Sequence, residues 1–331
     1  DREKLNRLNR GEIPIYEPGL ENIIARNRLR GLLKFTDNMA EALKSRSLNP
    51  QSAAEDEMIK TLFGDHPYSL PKVGSVEAVK NLSRENVKDF YHEICMSREK
   101  VVFGISGDFD KKLARKWFKG ILKDAPWSED TALPFPVAPR FPVAPIRSDV
   151  MIPREQAVVM LAVPGCDNNH KDRFALDILQ EAVNGQAAAL FKSIREEAGL
   201  AYYTGMYSMR GIHPGFLTFY AGTKGESVEH VIVRFEAEKA RLVDPGLEED
   251  EFAAAREAVI FNLTRDIQQS GRYLAQSCLS EFYGNGYDSV NLRLSVFNSI
   301  TREQVNRAIK RYMSEANTVI AVAMPEENAS S

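Results

Sequence analysis

Residues 190 to 203 read LFKSIREEAGLAYY, and this stretch decides how the rest of the chain is interpreted. Leu190, Phe191 and Ile194 recur at helical spacing and form one apolar stripe. Gly199 suits the left-handed backbone conformation that commonly follows a helix, and the tyrosines after it favour a pleated strand. The stretch therefore predicts a helix that ends just before Gly199 and runs into a strand.

Two polar side chains, Arg195 and Tyr202, flank the turn of this helix-to-strand unit. Arg195 falls on the last turn of the helix and Tyr202 opens the strand, so the two could converge at one edge. A guanidinium and a phenol hydroxyl there could hydrogen-bond a peptide backbone or a developing oxyanion. The spacing fits equally well with a solvated arginine beside a packed tyrosine, so both interpretations stay open at this point.

The same stretch resembles the C-terminal domain of the M16 family (pitrilysin, insulinase, mitochondrial processing peptidase), in which a helix ends in I-R-E-x-x-G-L-A-Y. Arg195 and Tyr202 match the Arg and Tyr of that pattern, which help to hold the substrate in the family. Just upstream the family often shows G-x-S-S-R-L-F, whereas residues 185–191 read GQAAALF here and Ala189 replaces the arginine. The resemblance covers about residues 51–326. It implies an α+β fold of M16 metallopeptidase-like domains, with helices packed on a largely antiparallel sheet and the first domain incomplete.

Composition limits the class of protein. A chain of 331 residues suggests two domains, and its 44% hydrophobic and 27% charged residues are typical of a soluble globular protein. The net charge of −3 gives no reason to expect nucleic acid or an anionic membrane surface. No run of 18 apolar residues is present, so no membrane span is expected. Bacterial cytoplasm and periplasm both stay open as compartments. Cys95, Cys166 and Cys278 are far apart and are interpreted as buried thiols.

No zinc-peptidase motif occurs in the chain. Neither H-x-x-E-H nor H-E-x-x-H is present, and His92-Glu93 on a predicted helix has Lys88 and Met96 where a second histidine would be needed. His66 is isolated in an Asp-His-Pro-Tyr loop and is interpreted as structural. We therefore expect no catalytic residue and no metal ligand in this chain.

The M16 resemblance implies zinc in the complete enzyme. Family members carry H-x-x-E-H early in the N-terminal domain and a third ligand, a glutamate, many residues later. Alignment of Asn49-Pro50 with the Asp-Pro of the family puts that third ligand near Ala42. The zinc would then belong to the complete family enzyme or to a partner, and no cofactor is expected on this chain.

Residues 1–44 differ from the rest. The run LNRGEIPIYEPGL at residues 8–20, then a short strand at 31–36 and a helix through 43, resembles the Rossmann domain of UDP-glucose/GDP-mannose dehydrogenases. No G-x-G-x-x-G occurs, so an NAD site is not expected. Two explanations remain open: a joined or mis-assembled chain, or a non-catalytic M16 half.

The remaining boundaries follow from composition and periodicity. Residues 45–125 resemble the second half of an M16 N-terminal domain, with a strand expected at Val101–Ile105. A proline-rich linker spans 126–148 and repeats FPVAP at 135–139 and 141–145. A C-terminal-type domain spans 149–326, and 327–331 form a tail. Its strands are predicted at 157–163, 203–209, 215–221 and 319–324, with helices on one face.

Three functions are weighed. The first is an M16 metallopeptidase homologue that supplies the substrate-binding half for peptide hydrolysis, with a zinc-bearing M16 partner or a second copy of itself. The second is a non-catalytic structural or binding subunit, like the core subunits of respiratory complex III that share the fold. The third is a fragment of an NAD-dependent dehydrogenase. Arg195 and Tyr202 favour the first, and Ala189 with the missing ligands favours the second.

Overall fold

The computed structural model describes residues 2–10, 12, 20–31, 33, 35–36, 38–96, 101–125, 127–128, 137–185, 188–197, 199–314 and 317–326. The side chains of residues 2, 4, 20, 21, 189 and 195–197 lie outside this description. The tail expected at 327–331 and residues 126 and 129–136 of the expected linker lie outside it as well.

Helices dominate the described ranges, and the strands are confined to the second part of the chain. The α-helices are α1 (Arg2–Arg10), α2 (Leu20–Leu29), α3 (Met39–Ser47), α4 (Pro50–Phe63), α5 (Val76–Asn81), α6 (Arg84–Phe90), α7 (Lys111–Asp124), α8 (Arg173–Asn184), α9 (Ala189–Phe191), α10 (Val228–Val243), α11 (Glu249–Gln268), α12 (Ser270–Phe282), α13 (Ser289–Ser299) and α14 (Arg302–Met313). The strands are β1 (Ile146–Ile152), β2 (Gln156–Pro164), β3 (Ala201–Met209), β4 (Phe216–Lys224) and β5 (Val319–Pro325). Two short π-helical segments span Tyr91–Cys95 and Lys192–Glu197.

The strands form one sheet in the order β1-β5-β2-β4-β3. β1 runs parallel to β5, whereas β2 pairs antiparallel with both β5 and β4, and β3 pairs antiparallel with β4. The sheet is therefore largely antiparallel and, with its packed helices, confirms the α+β class. β3 and β1 are the two edge strands.

Both faces of the sheet are buried. Along β2, Val159 and Leu161 point into one core with α8, α10, α11 and α14, whereas Val158 and Met160 point into a second core. The second core is closed by α4, which contributes six buried side chains: Ala53, Ala54, Met58, Ile59, Leu62 and Phe63. The expectation of helices on one face alone was wrong. The helix that sequence placed in the preceding segment covers the other face, and this explains why β2 is apolar at successive positions.

The strand expected at Val101–Ile105 does not form. Residues 101–106 are irregular, and no strand precedes β1 among the described residues. A strand needs a hydrogen-bonding neighbour, and none of the described residues provides one for this segment. It lies instead against α12, where a Cβ added at Gly104 would come within 2.3 Å of the Sγ atom of Cys278. The described residues of the strand expected at 31–36 are likewise not in a strand.

Strand β1 lies partly inside the stretch interpreted as a linker. It begins at Ile146, directly after the second FPVAP repeat, and pairs in parallel with β5. In this register Ile146 lies opposite Val319, and Ile152 lies opposite Pro325. Local composition hides this strand because its partner is far away in sequence. The ordered sheet therefore starts three residues before the expected boundary at 149.

Local hydrogen bonds cap two of the helices, and Gly199 adopts the predicted conformation. The Ser83 hydroxyl accepts from the Asn86 N–H and caps α6, and Thr301 forms a reciprocal capping box with Gln304 at the start of α14. Gly199 has φ of 59°, the left-handed conformation expected after a helix. These positions depend on neighbours within a few residues, which explains why sequence alone identifies them.

The cysteines differ in environment. All three are free thiols; Cys166 is buried and Cys95 is exposed. Burial raises the pKa of the Cys166 thiol to about 11, so it is an unreactive, protonated core group. The expectation of burial was wrong for Cys95, because the helices around it form little core. No helix in the described part of the chain combines the length and apolar character needed to cross a membrane.

Candidate functional site

Tyr202 lies at the start of the edge strand β3. The register changes between Ala201, which faces Thr223, and Tyr203, which faces Gly222, so Tyr202 is the extra residue of a β-bulge. Bulges at sheet edges re-aim side chains. Tyr202 accordingly has 58% of its surface exposed to solvent. Its hydroxyl is available to a molecule that approaches this edge.

The helix before Tyr202 ends as the sequence predicts. Ile194 and Leu190 anchor the segment in the core, and the Leu200 N–H donates to the Ile194 carbonyl over 2.9 Å. The Thr223 hydroxyl donates to the Leu200 carbonyl and ties this turn to β4. The backbone of Arg195 belongs to the π-helical segment, but its side chain and that of Ala189 lie outside the described residues. The convergence of Arg195 with Tyr202 stays a prediction.

A row of tyrosines continues from Tyr202 along the face that α4 covers. The ring of Tyr220 lies 6.2 Å from Tyr203 and 5.8 Å from Tyr207, measured between centroids. Burial, and then Tyr220, raises the pKa of Tyr203; burial, and then Glu55, raises that of Tyr207. Both phenols therefore stay protonated at neutral pH and can donate a hydrogen bond. Sequence reasoning missed this row, whose signal is the four-residue spacing of Tyr203 and Tyr207 in β3.

An apolar cavity of about 350 Å³ opens beside the far end of this row. Ile59 of α4, Tyr68 of the following loop, and Tyr207 and Met209 of β3 line it. The loop is fixed there because the His213 N–H donates to the Tyr68 hydroxyl over 3.2 Å. Such a cavity suits an apolar side chain of a chain that lies along β3.

The middle of the β3 edge is closed by a side chain. The Asn184 amide donates to the Met206 carbonyl and accepts from the Met206 N–H, each over 2.8 Å. The Ser208 hydroxyl donates to the Gln180 side-chain oxygen over 2.9 Å. The contacts of Asn184 satisfy backbone groups that an edge strand otherwise offers to another chain. Sequence reasoning missed Asn184, because its partner is 22 residues away.

The histidines do not assemble a metal site. His66 is buried, its Nδ1 atom accepts from the Tyr68 N–H over 3.1 Å, and its ring centroid lies 5.8 Å from that of His213. Burial, and then His213, lowers the pKa of His66. His92 is exposed on the π-helical turn with Glu93. In the described part of the chain no three His, Cys, Asp or Glu side chains are grouped so that they could hold a metal ion. The zinc that the M16 resemblance implies is therefore not matched by these residues.

A family model described as the peptidase M16 inactive domain matches residues 81–259. An uncharacterized zinc protease of Streptomyces coelicolor is 27% identical over 267 residues, which cover 80% of this chain and 58% of the relative. The uncharacterized zinc protease YmxG of Bacillus subtilis is 21% identical over 301 residues, which cover 90% of this chain and 71% of the relative. The chain thus spans less than two thirds of the Streptomyces protein.

Solved structures show the same fold. A peptidase M16 inactive domain from Pseudomonas fluorescens superposes with a TM-score of 0.79 at 21% identity, covering 92% of this chain and 71% of that one. A protease from Helicobacter pylori superposes with a TM-score of 0.76 at 16% identity, covering 88% of this chain and 74% of that one. At these identities the likeness concerns the fold.

Proposed function

The chain belongs to the M16 peptidase family, and from this we propose that it supplies the substrate-binding half of a zinc metallopeptidase whose metal is held elsewhere. The observation that carries the proposal is the position of Tyr202. Its side chain is exposed on a bulge of the edge strand, next to the end of the helical segment that contains Arg195. In this proposal the helix-to-strand turn binds a peptide, as the family resemblance implies.

In this proposal Tyr202 donates its hydroxyl hydrogen to a peptide carbonyl or to the oxyanion that forms from it. Arg195 would add a second, charged donor, a role that rests on the family resemblance alone. The peptide would run beside β3 towards the cavity formed by Tyr68 and Met209, which would take an apolar side chain. Asn184 would limit backbone pairing to the part of β3 near Tyr202, because Met206 is already hydrogen-bonded.

The helices that precede the sheet support the proposal that the chain has a partner. Among the described residues between 76 and 125, only Ala114 buries an apolar side chain. Phe90 of α6 and Trp117 of α7 are 60% and 58% exposed, and Val87, Leu113 and Ile121 are exposed as well. An apolar surface of this kind marks an interaction site. We propose that a zinc-bearing M16 half covers it, supplied by further polypeptide or by a separate subunit.

A complementation assay tests the proposal. The purified chain is mixed with the part of the Streptomyces coelicolor zinc protease that lies outside the matched segment, and assembly is followed by gel filtration. We expect the mixture, but not the chain alone, to cleave a quenched fluorescent peptide. Tyr202→Phe should lower the rate by about tenfold to hundredfold, because one oxyanion donor is lost.

Tyr287→Phe is the matched control, because Tyr287 is also exposed, at 66% against 58% for Tyr202, but lies between α12 and α13. Its rate should equal that of the unmodified chain. An assembled mixture that is inactive, or that cleaves equally well with Tyr202→Phe, would contradict the substrate-binding role.

The second candidate is a non-catalytic structural or binding subunit. Ala189 in place of the arginine common in the family, and the lack of a grouped ligand set in the described residues, favour it. Stable assembly with a zinc-bearing M16 half, with no effect of Tyr202→Phe or Arg195→Gln on cleavage, would identify this role.

We propose that residues 1–44 are a dehydrogenase-like segment that does not bind a nucleotide. We also propose that the segments of the chain after it begin at residues 45, 126, 149 and 327. Helix α3 crosses the expected join, and its Arg46 pairs with Asp56 of α4. A fluorescence titration with NADH should show no saturable binding. Saturable binding would revive the dehydrogenase hypothesis.

A further inference from the structure

A second cavity lies on the helical side of the sheet, away from Tyr202. It has a volume of about 390 Å³ and is enclosed by α8, α11, α12, α13, the loop after β2 and the end of β3. Three arginines line it: Arg173 of α8, Arg210 just after β3, and Arg293 of α13. Tyr202 is at the opposite end of β3, eight residues from Arg210, or roughly 25 Å along the strand.

The three guanidinium groups have unequal partners. Arg210 is paired with Asp177 and also donates to the Arg173 carbonyl over 2.8 Å. Arg293 donates to the side-chain oxygens of Gln276 and Ser280 over 3.0 and 3.1 Å. Both of those acceptors are neutral, so the charge of Arg293 has no counter-ion within hydrogen-bond reach in the described part of the chain.

Arg173 is in the same situation. Its guanidinium donates to the Asn168 carbonyl and lies 4.6 Å from the ring centroid of Phe174. Neither contact neutralises the charge, and no carboxylate of the described residues forms an ion pair with Arg173. Two half-buried cations therefore face one cavity without an anionic partner, an arrangement that burial makes unfavourable.

Carboxylates in the cavity wall do not remove this imbalance. Asp177 is engaged by Arg210, and Asp266 is engaged by Arg272, which lies outside the cavity wall. Glu181 also lines the cavity and has no ion pair with a described residue. As the wall carboxylate without such an ion pair, Glu181 should oppose the binding of an anion most strongly.

The electrostatics agree with this geometry. Burial, and then Arg293 and Arg210, lowers the pKa of Arg173. Burial also lowers the pKa of Arg293, and Arg210 lowers it further while Asp177 raises it. Desolvation therefore destabilises the charged form of each guanidinium, and an anion placed between them would relieve this effect.

We propose that this cavity binds a small oxyanion, a carboxylate or a phosphate, between Arg173 and Arg293. The planar guanidinium presents pairs of N–H donors that match the oxygen pairs of these groups. Phe174, Leu263 and Phe297 in the same wall would exclude water from the bound group. The site is separate from the peptide edge and does not depend on the proposed peptidase role.

Calorimetry on the full chain tests the site. Inorganic phosphate is titrated into the protein against sodium chloride of matched ionic strength, and a tripeptide with a free C-terminal carboxylate is compared with its amidated form. We expect saturable binding of phosphate, of the free tripeptide or of both, with no binding of the amidated peptide. The two arms show whether phosphate or a carboxylate is preferred.

Variants locate the site. Arg293→Gln should weaken binding by about tenfold or more, because hydrogen bonds to a charged group are lost. Glu181→Gln should strengthen binding a few-fold, because the opposing charge is removed, and this variant keeps every arginine contact. Arg234→Gln, an exposed arginine on α10 outside the cavity, should leave binding unchanged.

Two results would overturn the proposal. One is the absence of saturable binding of both phosphate and the free tripeptide to the unmodified chain. The other is binding that Glu181→Gln does not strengthen and Arg293→Gln does not weaken. Because Glu181→Gln leaves all described hydrogen bonds intact, it remains informative even if Arg293→Gln lowers stability.

Discussion

The part of the chain around the sheet and the helices α5–α7 before it both carry large apolar side chains. These side chains are buried around the sheet but exposed on α5–α7. Around the sheet, Phe235 of α10 and Leu176 of α8 are 0% and 1% exposed, because the sheet gives them a surface to pack on. In α7, Trp117 remains 58% exposed although the helix is amphipathic. A helix can form from local sequence, but its apolar face is buried only when a sheet or another helix lies opposite. The comparison supports the proposal that a further M16 half covers α5–α7.

The largest effect on stability is expected in helix α4, because this helix precedes α5–α7 in sequence but packs against the sheet. Phe63→Ala should lower the free energy of unfolding by about 3–5 kcal/mol, because the ring is 1% exposed and contacts Tyr68, Phe141 and Phe216. Trp117→Ala on α7 is the control and should cost about 0.5 kcal/mol. Urea unfolding of both variants gives the comparison, and equal losses would contradict it.

The next largest effect is expected at the edge of the sheet. Asn184→Ala leaves the Met206 N–H and carbonyl without their partner and should cost about 1–3 kcal/mol. The opened edge should also self-associate as concentration rises. Asn298→Ala, which removes one exposed bond within α13, is the control and should cost about 0.5 kcal/mol. Urea unfolding and sedimentation measure the two effects. A monomeric, fully stable Asn184→Ala variant would show that the edge needs no cover.

The stability of the loop after α4 should depend on pH through His66. The pKa of His66 is lowered by burial and by His213, so the unfolded chain takes up the proton first as the pH falls. The stabilisation from neutral His66 is therefore complete above about pH 6.5 and is lost as the pH falls through the folded pKa. His66→Asn keeps an acceptor for the Tyr68 N–H but cannot titrate.

Thermal unfolding of both proteins between pH 7.5 and 5 measures this effect. The unmodified chain should lose more stability on acidification than His66→Asn does. Parallel curves for the two proteins would mean that His66 titrates without consequence for the packing of this loop.

The smallest effect on stability is expected at Tyr202. Tyr202→Phe should change the free energy of unfolding by less than about 0.5 kcal/mol, because the side chain is 58% exposed. Its effect should appear only in peptide cleavage by the assembled mixture. A large loss of stability, measured by urea unfolding, would instead assign Tyr202 a structural role.

Sequence predicts the local features of this molecule well. The capping box of Thr301 with Gln304, the turn at Gly199 and the hairpin of β3 and β4 all depend on residues close in sequence. The helix-to-strand turn that carries Tyr202 was predicted for the same reason. The resemblance to the family adds the expectation that this turn binds a peptide, which residue spacing alone left open.

Features that depend on distant residues were missed. Strand β1 pairs with β5 so that Ile146 lies opposite Val319, and nothing near Ile146 in the sequence indicates that partner strand. The strand expected at Val101–Ile105 has suitable side chains, but no strand lies beside it in the part of the chain that the structure describes. Asn184 and the arginines of the second cavity are unremarkable in sequence, since only the fold brings Arg173, Arg210 and Arg293 together.

The most direct test of the account is the zinc content of the purified chain, measured by elemental analysis after dialysis, with a quenched peptide assay on the same sample. The account predicts that the chain alone holds no stoichiometric zinc and cleaves no peptide until a zinc-bearing M16 half is added. Stoichiometric zinc together with cleavage that a chelator abolishes would contradict it, and would point back to His66, His92 and Glu93 as ligands.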